Sequence, residues 1–102
     1  MKYEDLDPVL EEWASQNGLY VFRKDRDWET RSIQIVDDSG EVYQLGLFPR
    51  DDDVQVSVNC RKNKNFRASY TCRLDDLEKI LQAAYQQVLD WIKFYGNTRT
   101  TA

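Results

Sequence analysis

The sequence predicts an α+β domain: a five-stranded antiparallel meander sheet with an N-terminal and a C-terminal helix packed on one face, in the order α-β-β-β-β-β-α. Three observations predict it. Apolar residues recur at helical spacing only near the two ends of the chain. Between the ends the apolar period switches to two, as in strands with one covered face. The connecting loops, read one by one, set registers that keep the same apolar residues on that face.

The first helix is predicted to open at Asp7-Pro8, with Asp as N-cap and Pro at the first helical position, where a missing N–H costs nothing. Leu6, Leu10, Trp13, Ala14 and Asn17 follow at helical spacing, and Gly18 supplies the stop. Alternation begins at Leu19-Tyr20-Val21-Phe22, which is apolar on both faces. It continues through Ile33 and Ile35, then Tyr43, Leu45 and Leu47, then Val54, Val56, Val58 and Cys60, and finally Phe66, Ala68, Tyr70 and Cys72.

A three-residue loop Asp38-Ser39-Gly40 pairs Ile35 with Tyr43 and Ile33 with Leu45. A four-residue loop from Pro49 to Asp52 pairs Leu47 with Val54 and Leu45 with Val56. A five-residue loop from Arg61 to Asn65 pairs Cys60 with Phe66, Val58 with Ala68 and Val54 with Cys72. This register sets Cys60 and Cys72 roughly 20 Å apart, at about 3.3 Å per strand residue, whereas a disulfide needs Cα atoms within about 7 Å. Two buried free thiols are therefore expected, inert as nucleophiles.

The last helix is expected to start at Asp75, with Glu78 completing a capping box. Its apolar face is Leu77, Ile80, Leu81, Ala84, Tyr85, Val88, Trp91, Ile92 and Tyr95, and Gly96 ends it. Residues 1–96 thus make one domain and 97–102 a polar, mobile tail.

With 102 residues, 41% hydrophobic, the chain suffices for one core and no second. The apolar runs are too short to span a bilayer, and Met1-Lys2-Tyr3-Glu4-Asp5 lacks the apolar stretch of a secretory signal. A soluble cytoplasmic protein is expected, monomeric or homodimeric, with no membrane contact.

There is no histidine, which excludes Ser-His and Cys-His catalysis and removes the commonest transition-metal ligand. No nucleophile–base pair stands out, so no enzyme activity, catalytic residue, cofactor or metal site is expected. The aspartates of Asp25-x-Asp27, Asp37-Asp38 and Asp51-Asp52-Asp53 match no calcium-loop pattern and read as turn residues.

Two features remain. The face of the sheet opposite the helices is expected to carry Gln44, Phe48, Gln55, Ser57, Asn59, Ser69 and Thr71, a hydrogen-bonding surface fit for a partner protein. Trp28, set among charges in Asp25-Arg26-Asp27-Trp28-Glu29, reads either as an anchor for that partner or as a cap on one end of the core. The other feature is basic: Arg61, Lys62, Lys64 and Arg67 lie in one hairpin tip, and Arg73 follows along the strand. These read as a solvated turn, as a surface that docks an acidic protein, or as the alternative function, a nucleic-acid-binding domain in which Phe66, placed in the core by the register, would stack on a base. The net charge of −4 weighs mildly against it.

The helix–strands–helix order is superficially similar to double-stranded-RNA-binding domains. That family has three strands and a basic start to its last helix, whereas Leu74-Asp75-Asp76-Leu77-Glu78-Lys79 is acidic, which excludes it. Small size, acidity and an amphipathic C-terminal helix resemble secretion chaperones and small bacterial immunity proteins, without a shared motif. The expected function is a non-enzymatic adaptor, chaperone-like or toxin-immunity-like protein.

Overall fold

A computed structural model of the protein describes residues 1–100, with side chains as far as Phe94. Helix α1 spans Tyr3–Gln16, and strands β1 Val21–Asp25, β2 Trp28–Val36, β3 Val42–Pro49, β4 Val54–Cys60 and β5 Arg67–Cys72 follow. A 3-10 turn at Leu74–Asp76 leads into α2, Leu77–Thr100. The strands lie side by side in sequence order, each antiparallel to the next. This is the predicted α+β meander, and both helices pack on the same face.

Period-two alternation explains the core. Ile33, Ile35, Tyr43, Leu45, Leu47, Val54, Val56, Val58 and Cys60 all point to the helix side and are buried. They meet Leu6, Leu10, Trp13 and Ala14 from α1, and Leu77, Leu81, Ala84 and Val88 from α2. Each such aliphatic side chain contributes about 2 kcal/mol on leaving water. One ring contact and one hydrogen bond, both from Trp13, join the helices. Trp13 meets the edge of Tyr85 at 5.7 Å, and its indole N–H donates to Gln82 Oε1 at 3.0 Å.

Helix α1 starts five residues earlier than predicted, at Tyr3 and not Pro8. The Lys2 backbone N–H donates to Asp5 Oδ2 at 2.8 Å, which supplies a start upstream of Asp7. The longer helix seats Leu6 fully in the core. Asp7 is thus inside the helix, where its carboxylate serves Arg31 on β2 instead of capping, and Pro8 is an internal proline. The helix end follows the prediction. Gly18, at φ +66°, donates to the Ser15 carbonyl, and Leu19 donates back to the Ala14 carbonyl, a Schellman closure.

The β2–β3 register is as expected, with Ile33 opposite Leu45, Ile35 opposite Tyr43, and Gly40 at φ +89° in the turn. The β4–β5 register is also as expected, with Val54 opposite Cys72 and Val58 opposite Ala68. Between β3 and β4 the pairing is slipped by two residues. Leu47 faces Val56 and Pro49 faces Val54. The Arg50 N–H bonds the Asp53 carbonyl at 2.8 Å, so ladder bonding resumes just beyond the proline. Antiparallel pairs alternate between bonded and non-bonded, and Pro49 falls on a non-bonded one that asks for no N–H. An even slip leaves every side chain on its predicted face.

Strand β1 starts at Val21, later than the apolar run Leu19–Phe22 suggests, and a bulge interrupts its pairing with β2 between Phe22 and Lys24. The cysteines are free, but only Cys60 is fully buried. Cys72 is half-buried because β5 is an edge strand. Phe66, just before β5, is likewise half-buried and stacks on Trp91, ring centroids 5.5 Å apart and 7° from parallel. Helix α2 is entered through the 3-10 turn, not capped by Asp75, and it continues through Gly96 to Thr100. Tyr95 as a face residue, and Thr101 and Ala102 of the expected tail, lie outside the described side chains and residues.

Candidate partner-binding face

The cross-strand pairs order the face opposite the helices into rows. The central row runs Phe22, Ser32, Gly46, Ser57, Ser69 across all five strands. On one side of it lie Gln34, Gln44, Asn59 and Arg67, and on the other Phe48, Gln55 and Thr71. All seven face residues predicted from the alternation are therefore brought together. Gln55 Nε2 donates to Ser69 Oγ at 3.0 Å and ties two of the rows. The middle is low because the residues there are small, and the Phe48 ring leans over Gly46, where an added Cβ would sit 3.5 Å from it.

Aromatic residues are exposed around these rows. Phe48 is half-exposed, and on the β1 side Tyr20 and Phe22 form an edge-to-face pair at 4.8 Å. Period-two reading of Val21 as inward would have identified Phe22 as outward, but the all-apolar run Leu19–Phe22 hid the parity. Trp28 flanks the two-residue turn at Arg26 and Asp27, with Arg26 at φ 60°. At 77% exposed, Trp28 caps no part of the core.

The predicted basic cluster divides. Arg61, Lys64 and Arg67 line one hollow of about 340 Å³ with Gln44, Asn59 and Cys60. Arg61 also lines a neighbouring depression with Phe22, Lys24, Asp25, Ser32 and Gln34, so it bridges toward β1. Lys62 is exposed in the loop outside the hollow, and Arg73 lies beyond the far end of β5. Phe66, the aromatic residue of this loop, is engaged by Trp91 and by the edge of Phe94 at 6.0 Å.

Three other groups carry polar chemistry and are structural. Arg31 is 4% exposed and holds Asp7 through Nε at 2.7 Å and Nη2 at 3.1 Å, with Glu29 at 3.2 Å and the Tyr3 ring 4.8 Å from its guanidinium carbon. The hydrogen bond from Arg31 holds the Asp7 carboxyl below its usual range, against the opposing effect of burial. Cys60 Sγ donates to Glu41 Oε1 at 3.5 Å, and both residues are buried, which closes this thiol–carboxylate pair to a substrate. Burial, then the charges of Asp76 and Asp53, pushes the Cys72 thiol up. Neither Arg31 nor Glu41 was identifiable as buried by residue type, since charged residues are seldom fully buried.

A wide depression of about 700 Å³ between the ends of α1 and α2 is lined by Trp13, Gln82 and the acids Asp75, Asp76 and Glu78. Trp13 and Gln82 satisfy each other there, and its acids lie at a helix start, where carboxylates are favourable without any ligand. Among the described residues no group of three His, Cys, Asp or Glu side chains is placed to hold a metal ion, and no helix is long and apolar enough to cross a membrane. No protein-family model, curated protein or solved structure matches the chain.

Proposed function

We propose that this domain is a non-enzymatic interaction protein, adaptor, chaperone-like or toxin-immunity-like, that binds a partner protein through its open sheet face. The observation that supports it is the uncovered face itself. Amide and hydroxyl side chains surround the exposed ring of Phe48 over the middle of the sheet, Phe22 lies at the β1 end, and cations crowd one margin. Such a surface offers apolar contact near its centre and many hydrogen-bond partners around it, the mixed character of a non-obligate interface. Exposed Trp28 adds an anchor residue of the kind that dominates interface energetics. Against a nucleic acid weigh the acidic net charge and the engagement of Phe66 with Trp91.

The test is a photo-cross-linking amino acid placed at Ser69 on the face, or at exposed Gln86 on α2 as control, followed by irradiation in lysate of the source cells. Protein adducts from position 69 and none from 86 are expected. Adducts only from position 86 would overturn the reading, and adducts that disappear after nuclease treatment would favour the nucleic-acid alternative.

A further inference from the structure

We propose that the segment received by the open face is acidic: an extended stretch of a partner protein whose carboxylates sit among Arg61, Lys64 and Arg67. This rests on the face-binding reading above and adds the chemistry of the occupant.

The charge pattern carries the argument. Arg61, Lys64 and Arg67 line one hollow that no carboxylate lines. Among the described residues none of the three has an ion-pair partner; the ion pairs there are those of Arg23, Arg31 and Arg50. The chain has 18 acidic and 14 basic residues, yet the nearest carboxylates are Glu41, buried against Cys60, and Asp25 in the adjoining depression. Glu4, Asp5, Glu11 and Glu12 lie on α1, and Asp75, Asp76 and Glu78 at the start of α2, on the helix side. Three converging cations repel one another, and an incoming anion relieves that repulsion. Two guanidinium forks and an ammonium, with the amides of Gln44 and Asn59 beside them, make a donor set suited to carboxylate oxygens.

Two observations favour a protein segment over a nucleic acid. Single-stranded nucleic acids draw much of their affinity from bases stacking on aromatic rings. No aromatic ring lines the hollow, and the ring of Phe66 is occupied by Trp91. Arg61 joins the cationic hollow to the depression lined by Phe22, Lys24 and Asp25, so the carboxylates of the occupant belong to the hollow and a non-acidic part of it lies toward Asp25. From β5 to β1 is four strand spacings, about 19 Å, which an extended segment of about six residues spans.

The test is an amide NMR titration at low salt with three probes: a short glutamate-rich peptide with a central leucine, the same peptide with glutamine for glutamate, and an oligouridylate of matched charge. The glutamate peptide is expected to move the signals of Gln44, Asn59, Arg61, Lys64 and Arg67, and to release as salt rises. The double variant R61E/R67E, changed at two exposed positions, should weaken it at least about tenfold, and K79E on the helix side should not. If R61E/R67E does not fold, R61Q/R67Q replaces it. Equal binding of the glutamine peptide on this face overturns the acidic occupant and leaves the face-binding reading intact. Tighter binding of the oligouridylate at the same residues overturns it in favour of nucleic acid. No signal change on the face with any probe also overturns it, and the Ser69 cross-link then decides separately whether the face binds at all.

Discussion

Arg31 on β2 donates from Nε and Nη2 to the two carboxylate oxygens of Asp7 on α1, at 2.7 and 3.1 Å, and so clamps the first helix to the sheet beside a β-bulge. The Arg31 side chain is 5% exposed and that of Asp7 15%, so the pair is largely out of water. Asp7→Ala leaves the guanidinium in place with its main counter-charge gone. A loss of about 3 kcal/mol is expected in urea unfolding. The apolar double variant R31M/D7L should be more stable than either single change. A double variant as unstable as the two singles combined would contradict this account.

The same pair gives stability a pH dependence of known sign. Hydrogen bonding from Arg31 depresses the Asp7 pKa in the folded protein. A depressed carboxyl contributes stability that is complete above the unfolded value, about 3.9, and is lost as pH falls through the lower folded value. The stability gap between wild type and Asp7→Asn should therefore be constant from neutral pH down to about 4 and narrow below it. Urea midpoints across the acid range check this, and a gap that widens on acidification would show the sign to be wrong.

The two thiols should differ. Cys60, buried against Glu41, should not react with a thiol reagent in the native protein, while half-buried Cys72, with its pKa raised, should react slowly. Both should react fully in denaturant, with no reductant needed. Cys60→Ala removes the hydrogen bond to the buried Glu41 carboxylate and should cost about 1 to 3 kcal/mol.

Two glycines respond oppositely to alanine. At Gly46 a Cβ would meet the Phe48 ring at an ordinary 3.5 Å and φ is not positive, so Gly46→Ala should be neutral or stabilise the strand by up to about 1 kcal/mol. Gly18, at φ +66° with open space around it, holds the Schellman closure of α1, and Gly18→Ala should cost about 1 kcal/mol. Thermal melts of the two variants should move in opposite directions or, for Gly46→Ala, not at all.

Trp28 is exposed and Trp13 is buried. Acrylamide should quench the emission of Trp28 strongly and that of Trp13 weakly, read from single-tryptophan variants. Trp28→Ala should change stability by less than about 0.5 kcal/mol. A large loss of stability would mean that Trp28 packs on the core after all.

Where the sequence reading and the structure part, the reason is usually a contact between residues distant in the chain. Asp7-Pro8 has the form of a helix start, and only Arg31, twenty-four residues later, shows why the aspartate is inside the helix instead. Pro49 reads as a loop residue until the ladder phase shows that its position needs no N–H. Arg73 belongs with Arg61 and Arg67 by charge, yet the length of β5 separates it from them. The rows of the open face were legible because alternation alone assigns a residue to a face. The division of the basic residues was not, since a hollow depends on which side chains converge.

Periodicity by itself determined that two helices cover one face of a five-stranded meander, and which residues of the strands lie on each face, because a strand has only two faces and burial selects one. The even slip of β3 against β4 preserved that assignment, since side-chain orientation repeats every two residues. Tertiary structure alone decided that Asp7 is spent on Arg31, that Phe66 is stacked on Trp91, and that Arg61, Lys64 and Arg67 converge without a counter-charge among the described residues. Each of these depends on distances across the fold, which no local pattern in the chain encodes.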